Sequence, residues 1–268
     1  MTPALRKVLD THRQRRAEEL YEIAELLERD GLTTDAGPLR TAATQCLSDF
    51  RTAGPKQPDA GDRYWGYEIE GLQIRLETQR HCRPRQSVMK DASGFLSVTV
   101  QEYLPPDSEA VGSSYSLLRR LDTDFYFDAH QVVDGAELPL RAAWHVDTHL
   151  HTATPSDSVH PRFHFQVGGE RLDHLDADIR GIFVPETPRM PCPPMDGLLA
   201  VDFVLAHYCG SDWAMLREVE PRYARLRHAP IQRYWDPYFQ IISEGIARLD
   251  TDPAAGPASF LIPSIFSA

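Results

Sequence analysis

Between Arg141 and Gly169 the chain reads RAAWHVDTHLHTATPSDSVHPRFHFQVGG. His145, His149, His151, His160 and His164 fall within this stretch of a 268-residue protein that has 11 histidines in all. Imidazole is the commonest side-chain ligand for transition metals and the side chain whose ordinary pKa lies nearest neutrality. Two chemistries follow: metal coordination, and acid/base catalysis by paired histidines. Asp147 and Arg162 are interleaved with the histidines, and no Lys or Glu occurs from 141 to 168. A face built only for solubility would draw on those two residue types.

The chemistry depends on how the residues are held. In an extended strand, alternate side chains share a face. Trp144, Val146, Thr148 and Leu150 then oppose His145, Asp147, His149 and His151. In RFHFQV, Phe163, Phe165 and Val167 oppose Arg162, His164 and Gln166. TATPSDSVH can join the two strands as an antiparallel hairpin. If both apolar rows face one core, paired residue numbers sum to an odd value. A one-residue slip would expose large apolar side chains at roughly 1.5–3 kcal/mol each. A register summing to 313 puts His149 opposite His164, Asp147 opposite Gln166, and His151 opposite Arg162.

That arrangement predicts a metal site in which His149, His151 and His164 are ligands, with His145 beside them and one position left open. Zinc, iron, nickel or manganese would suit the donors. Asp147 is a fourth ligand or the acceptor that orients a histidine. Arg162 clamps an anionic group such as a phosphate. Asp147, Arg162 and Gln166 are the expected catalytic group. A second reading takes His145 and Asp147 of HVD with a distant histidine as a two-histidine, one-carboxylate iron(II) triad. A third needs no metal: facing histidines divide the base and acid roles in phosphodiester cleavage, with Arg162 stabilising the charged transition state. The fourth is structural, a solvated or buried hydrogen-bonded polar face. Asp122, Asp124 and Asp128 of LDTDFYFDAH add an acidic row, either a plain strand edge or further metal carboxylates.

The elements around the hairpin are legible from periodicity. Residues 3–30 read as a helix stopped by Gly31, and 36–53 as a second, together an N-terminal helical hairpin over 1–53. AGPKQPDAGD is a linker. From residue 62 the period becomes 2, with strands in LQIRLE, GFLSVTVQEYL, SYSLLRRLDTDFYF, the histidine segment and GIFVP. No helix intervenes, so the sheet should be mainly antiparallel. After PRMPCPPMD, Asp196 is an N-cap for GLLAVDFVLAHYC, and Asp236 with Pro237 opens a last helix. The expected architecture is α+β: the helical hairpin, then an α+β domain over 62–268 with C-terminal helices packed on the sheet, all in one compact unit. Asp202, in the most apolar helix, needs a partner, and Arg189 is one choice.

Composition narrows the function. The hydrophobic fraction of 42% and charged fraction of 25% are those of a globular protein. A formal charge of −11 disfavours binding polyanions through bulk charge, and the Arg13, Arg15 and Arg16 cluster reads as a solvated surface. No signal-like or membrane-length apolar segment is present, which predicts a cytoplasmic protein with no membrane partner. Cys46, Cys82, Cys192 and Cys209 form no C-x-x-C pair and read as reduced thiols.

HPRFHFQVGG, followed by PRMPCPPMD and an apolar helix, resembles uncharacterised bacterial proteins encoded near restriction, toxin–antitoxin and other defence genes. RRLDTD resembles the Arg–Asp strand those proteins pair with an HP-x-x-H segment. The resemblance covers residues 114–210. It implies a bacterial intracellular setting, an antiviral role and a genetic partner, and carries over no catalytic residue. VDTHLHT is also similar to the D-x-H-x-H strand of metal-dependent amidohydrolases, whose barrel needs more strand–helix units than the remaining 120 or so residues can hold. HTA resembles half of a two-histidine phosphoesterase motif, and no second copy follows. Together the residues predict a hydrolase of phosphoesters, nucleotides or nucleic-acid phosphodiesters, using zinc, iron or manganese if metal-dependent. The competing expectation is a non-catalytic module that binds a partner protein, or a second copy of itself, through its N-terminal helices.

Overall fold

The computed structural model describes residues 3–54, 61–76, 89–104, 118–148, 163–168, 172 and 190–251. The chain begins with helices α1 (Pro3–Arg29) and α2 (Gly37–Cys46). Strands β1 (Arg51–Thr52), β2 (Arg63–Arg75), β3 (Met89–Tyr103), β4 (Leu118–Val133), β5 (Ala136–Thr148), β6 (Phe163–Val167) and β7 (Met190–Pro191) follow. They form one antiparallel meander in chain order. Helices α3 (Gly197–Tyr208), α4 (Gly210–Val219), α5 (Pro221–Pro230) and α6 (Asp236–Thr251) complete the α+β fold. GIFVP at 181–185 lies outside the described residues. Among the described residues no helix is long and apolar enough to cross a membrane.

The helical hairpin is closed by its caps. Gly31 takes φ +65°, Leu32 N–H donates to Leu27 O at 2.8 Å, and Gly31 N–H donates to Glu28 O at 3.1 Å. That pair of bonds ends α1 in a left-handed glycine cap. The second helix stops at Cys46, well short of residue 53. Leu47 and Ser48 N–H turn back to Thr44 and Gln45 carbonyls at 3.1 Å each, and Arg13 Nε donates to Cys46 O at 2.7 Å. Arg13 thus satisfies a helix end from the neighbouring helix. It is 7% exposed and Arg16 only 2%, so these two arginines are interior and not a solvated patch. Both extend the buried stripe of Leu9, Leu20, Ile23 and Leu27, at steps of three and four residues.

Helices α1, α2 and α3 share one apolar cluster with a single face of the sheet. Leu20, Leu39 and Val201 meet Tyr67, Ile69, Leu96, Val98, Phe125, Trp144 and Val146 there. The start of α3 sits on β2: Gly197 N–H donates to Tyr67 Oη at 3.2 Å, and a Cβ on Gly197 would lie 2.6 Å from Ile69 Cδ1. Asp196 Oδ1 accepts Leu199 N–H at 3.1 Å, the expected N-cap. Asp202 accepts Trp213 Nε1–H and Tyr223 O–H, each at 2.8 Å; Arg189 lies outside the described residues.

Asp236 does not open a new helix. The helical path runs from Pro221 to Thr251 and widens into a π-turn at Ile231–Trp235. Pro230 offers no N–H and crowds the turn before it, and the wider turn lets the chain pass without breaking. Tyr234 and Tyr238 then pack with Leu118, Leu121 and Phe163 in a second buried cluster. That cluster pins β6 from the helical side.

Candidate metal centre

The apolar alternation of β5 and β6 holds. Trp144, Val146 and Phe163 are buried against the helices, which turns His145, Asp147, His164 and Gln166 to the opposite face. The pairing is Trp144 with Val167, His145 with Gln166, Val146 with Phe165, Asp147 with His164, and Thr148 with Phe163. These sums are 311, not 313. The odd parity is kept, but Asp147 takes the place expected of His149 opposite His164, and Gln166 faces His145 in place of Asp147.

Apolar burial cannot choose between registers two residues apart, because both keep the same faces. Thr148 Oγ1 donates to Leu121 O at 2.7 Å and accepts Leu121 N–H at 3.1 Å, while Thr148 N–H donates to Asp122 Oδ1 at 3.1 Å. These bonds tie the end of β5 to β4. At the other end Gly168, at φ +95°, donates its N–H to Ala143 O at 2.7 Å and turns the chain away.

His145, Asp147 and His164 each offer one ligand atom, and the three atoms lie within 4.8 Å of one another. His164 Nε2 is 2.9 Å from Asp147 Oδ1, and His145 Nε2 is 3.9 Å from Asp147 Oδ2. The two imidazoles stand edge to face with ring centroids 6.0 Å apart. Donors about 2.1 Å from a zinc ion at tetrahedral angles lie about 3.4 Å apart. The three ligand atoms, one from each residue, lie within 4.8 Å of one another, so holding an ion requires the side chains to draw towards that spacing. The His164 side chain is 1% exposed, His145 17% and Asp147 31%, which leaves the group closed at β6 and open towards Asp147.

Two rows of polar side chains run across this face. One passes through Ser97, Asp124, His145 and Gln166, and the other through Thr99 and Asp122 towards Asp147 and His164. Cys192, whose N–H donates to Phe163 O at 3.2 Å, flanks β6; burial and the nearby Asp147 charge push its thiol up to about 12. Of the residues expected in the site, the structure unites His145, Asp147 and His164, with buried Gln166 beside them. His149, His151 and Arg162 lie outside the described residues.

No known protein family, curated protein or solved structure matches this chain. Its own geometry therefore carries the functional reading.

Sequence reasoning missed a second polar group, on the helical side of the sheet. Arg16 Nη2 lies 3.5 Å from Glu102 Oε1 and 3.3 Å from Tyr234 Oη, and Tyr234 O–H donates to Glu102 at 2.8 Å. Arg233 bridges Glu19 at 2.7 Å and Asp196 Oδ2 at 3.2 Å. Burial, with Arg16 partly opposing it, pushes the Glu19 carboxyl up to about 7 and that of Asp196 to about 6; it raises Glu102 as well. Two guanidinium groups face three carboxyl groups here, all largely shielded from water. The network ties α1, β3, the start of α3 and the π-turn together. The signal that could have found it was Arg16 on the apolar stripe of α1.

Proposed function

We propose that this protein is a metal-dependent hydrolase whose divalent ion is held by His145, Asp147 and His164. The observation that carries the reading is the convergence of those three donors on paired strands, within 4.8 Å of one another. Three protein ligands with a remaining open position are the pattern of catalytic rather than structural zinc sites. An ion so held supplies Lewis acidity and makes hydroxide available near neutral pH. Gln166, buried beside His145, adds an uncharged hydrogen-bonding group at the site's edge.

Phosphoesters are the substrate class we assign, since a divalent ion offsets the acidic face towards an anionic substrate. Arg162, two residues before His164 in the sequence, is the anion clamp in this proposal. A bacterial cytoplasmic defence setting, with nucleotides or nucleic acid as the source of the phosphoester, rests on the resemblance of residues 114–210. The observed donors favour one other reading, because two histidines and one carboxylate are also the ligands of dioxygen-activating iron(II) centres.

Hydrolysis of bis-p-nitrophenyl phosphate and p-nitrophenyl phosphate by metal-loaded protein tests the assignment. Release of nitrophenol that needs zinc or manganese, is independent of dioxygen and disappears in Asp147→Asn supports it. A metal-loaded protein that hydrolyses neither ester overturns the hydrolase assignment. Dioxygen consumption with iron(II) would replace it with the oxygenase reading.

A further inference from the structure

Two glutamines are buried among the described residues, Gln101 and Gln166. The Arg119 guanidinium donates to Gln101 Oε1, which accounts for the first. Thr123, also buried, donates from Oγ1 to Met195 O at 3.1 Å. Gln166 differs. Among the described residues its carboxamide makes no hydrogen bond, and neither of its polar atoms is wholly sealed from solvent. A carboxamide carries two N–H donors and a carbonyl acceptor, and burying them without partners costs free energy. Leucine would fill the place without that cost, so folding alone does not call for glutamine here.

Its position indicates what the carboxamide serves. Gln166 stands directly opposite His145 in the β5–β6 ladder, and Asp147 opposite His164. Directly opposed residues point to one face, with Cβ atoms about 4.5–5.5 Å apart. The four side chains therefore make a two-by-two patch. Three corners are the proposed ligands, whose donor atoms lie within 4.8 Å of one another, and Gln166 is the fourth. This corner is uncharged. A carboxylate there would compete for the ion or repel an anion bound to it, whereas a carboxamide of the same shape offers N–H donors.

We infer that Gln166 is a substrate-binding residue of this centre: its Nε2–H donates to one oxygen of a phosphoryl group while another oxygen of that group takes the open position on the ion. The inference rests on the proposed metal centre and its phosphoester substrate, and assigns a contact to a residue outside the ligand set. A hydrogen bond to a charged oxygen is roughly twice as strong as one between neutral groups. Binding the anion therefore satisfies a donor that the fold leaves unpartnered, and the free energy withheld from folding is recovered as affinity.

The test uses full-length protein, zinc, and inorganic phosphate as the probe. Zinc affinity is read by competition with a chromophoric chelator, phosphate affinity by calorimetric titration of the zinc-loaded protein, and the fold by the apo melting temperature. Gln166→Leu should bind zinc as the wild type does, bind phosphate ~10–100-fold more weakly, and melt at or above the wild-type temperature. Gln166→Glu should keep zinc and lose phosphate. Phosphate held as tightly by Gln166→Leu as by the wild type would overturn the contact while leaving the centre in place. A lowered apo melting temperature in Gln166→Leu would assign the carboxamide to the fold and overturn it too. Weakened zinc binding in that variant would make Gln166 a ligand through Oε1 and overturn the donor role. Wild-type protein that holds zinc but no phosphate would overturn the phosphoester substrate, and one that holds no zinc the centre itself; the contact falls with either.

Discussion

Asp147 faces His164 across the β5–β6 ladder with 2.9 Å between Oδ1 and Nε2, and the Asp147 side chain is still 31% exposed. The facing atoms themselves are shielded from water, so disturbing the pair costs the apo fold on the order of 1–3 kcal/mol. A ligand role weighs far more, because losing one of three donors removes a large share of the binding free energy. Asp147→Asn should therefore weaken zinc binding by at least about 100-fold while lowering apo stability by no more than about 1–3 kcal/mol. Calorimetric titration with zinc, paired with urea unfolding of the apo protein, checks both halves.

The Arg16–Glu102 contact is the opposite case. Both side chains are under 5% exposed, and Tyr234 O–H donates to the same carboxylate. Removing Arg16 leaves a buried acid without its principal cation, a defect that typically costs about 3–5 kcal/mol. Arg16→Met should lose that much stability. Arg16→Met combined with Glu102→Leu should recover part of it, because no buried charge is then stranded. Urea midpoints of the two variants decide the point.

Acidity should act on the same network. Asp196 and Glu19 have folded-state values of about 6 and about 7, above their ordinary 3.8 and 4.5. A raised carboxyl pKa means that the folded state keeps its proton where the unfolded chain has released it. Its contribution is full below the ordinary value and is lost as pH rises through the folded one. Apo stability should thus decline between about pH 4 and pH 7, by on the order of 3 kcal/mol for each of the two groups, and level off above. Glu28 and Glu220, held down to about 2 by Arg40 and Arg29 respectively, act in reverse and lose their contribution as pH falls towards 2. Urea unfolding of chelator-treated protein from pH 4 to 8 should show the decline. A flat profile in Arg233→Met, with Asp196 and Glu19 still present, would contradict the sign assigned to them.

Much of the architecture was legible because each element carries a strong local signal. Gly31, Asp196 and the alternation of Trp144, Val146, Phe163 and Phe165 place a helix end, a helix start and two strand faces directly. The parity of the β5–β6 register was legible for the same reason. Its value was not, because registers two residues apart bury the same apolar side chains and alternation cannot tell them apart. The two-residue slide replaced His149 by Asp147 opposite His164. It moved the candidate centre from three histidines to the two-histidine, one-carboxylate set that the HVD motif suggested. In α1, Arg15 is exposed as its charge suggests, whereas Arg13 and Arg16 fall on the stripe of Leu9, Leu20 and Ile23 and are inside.

Metal content bears on the central claim most directly. Untagged protein, reloaded with zinc, manganese or iron(II) and freed of excess ion, should retain about one equivalent and melt roughly 5–10 °C above its apo form at saturating metal. His145→Ala and His164→Gln should retain almost none. Wild-type protein holding less than about 0.2 equivalents of every ion, with no rise in melting temperature, would contradict a metal centre at His145, Asp147 and His164.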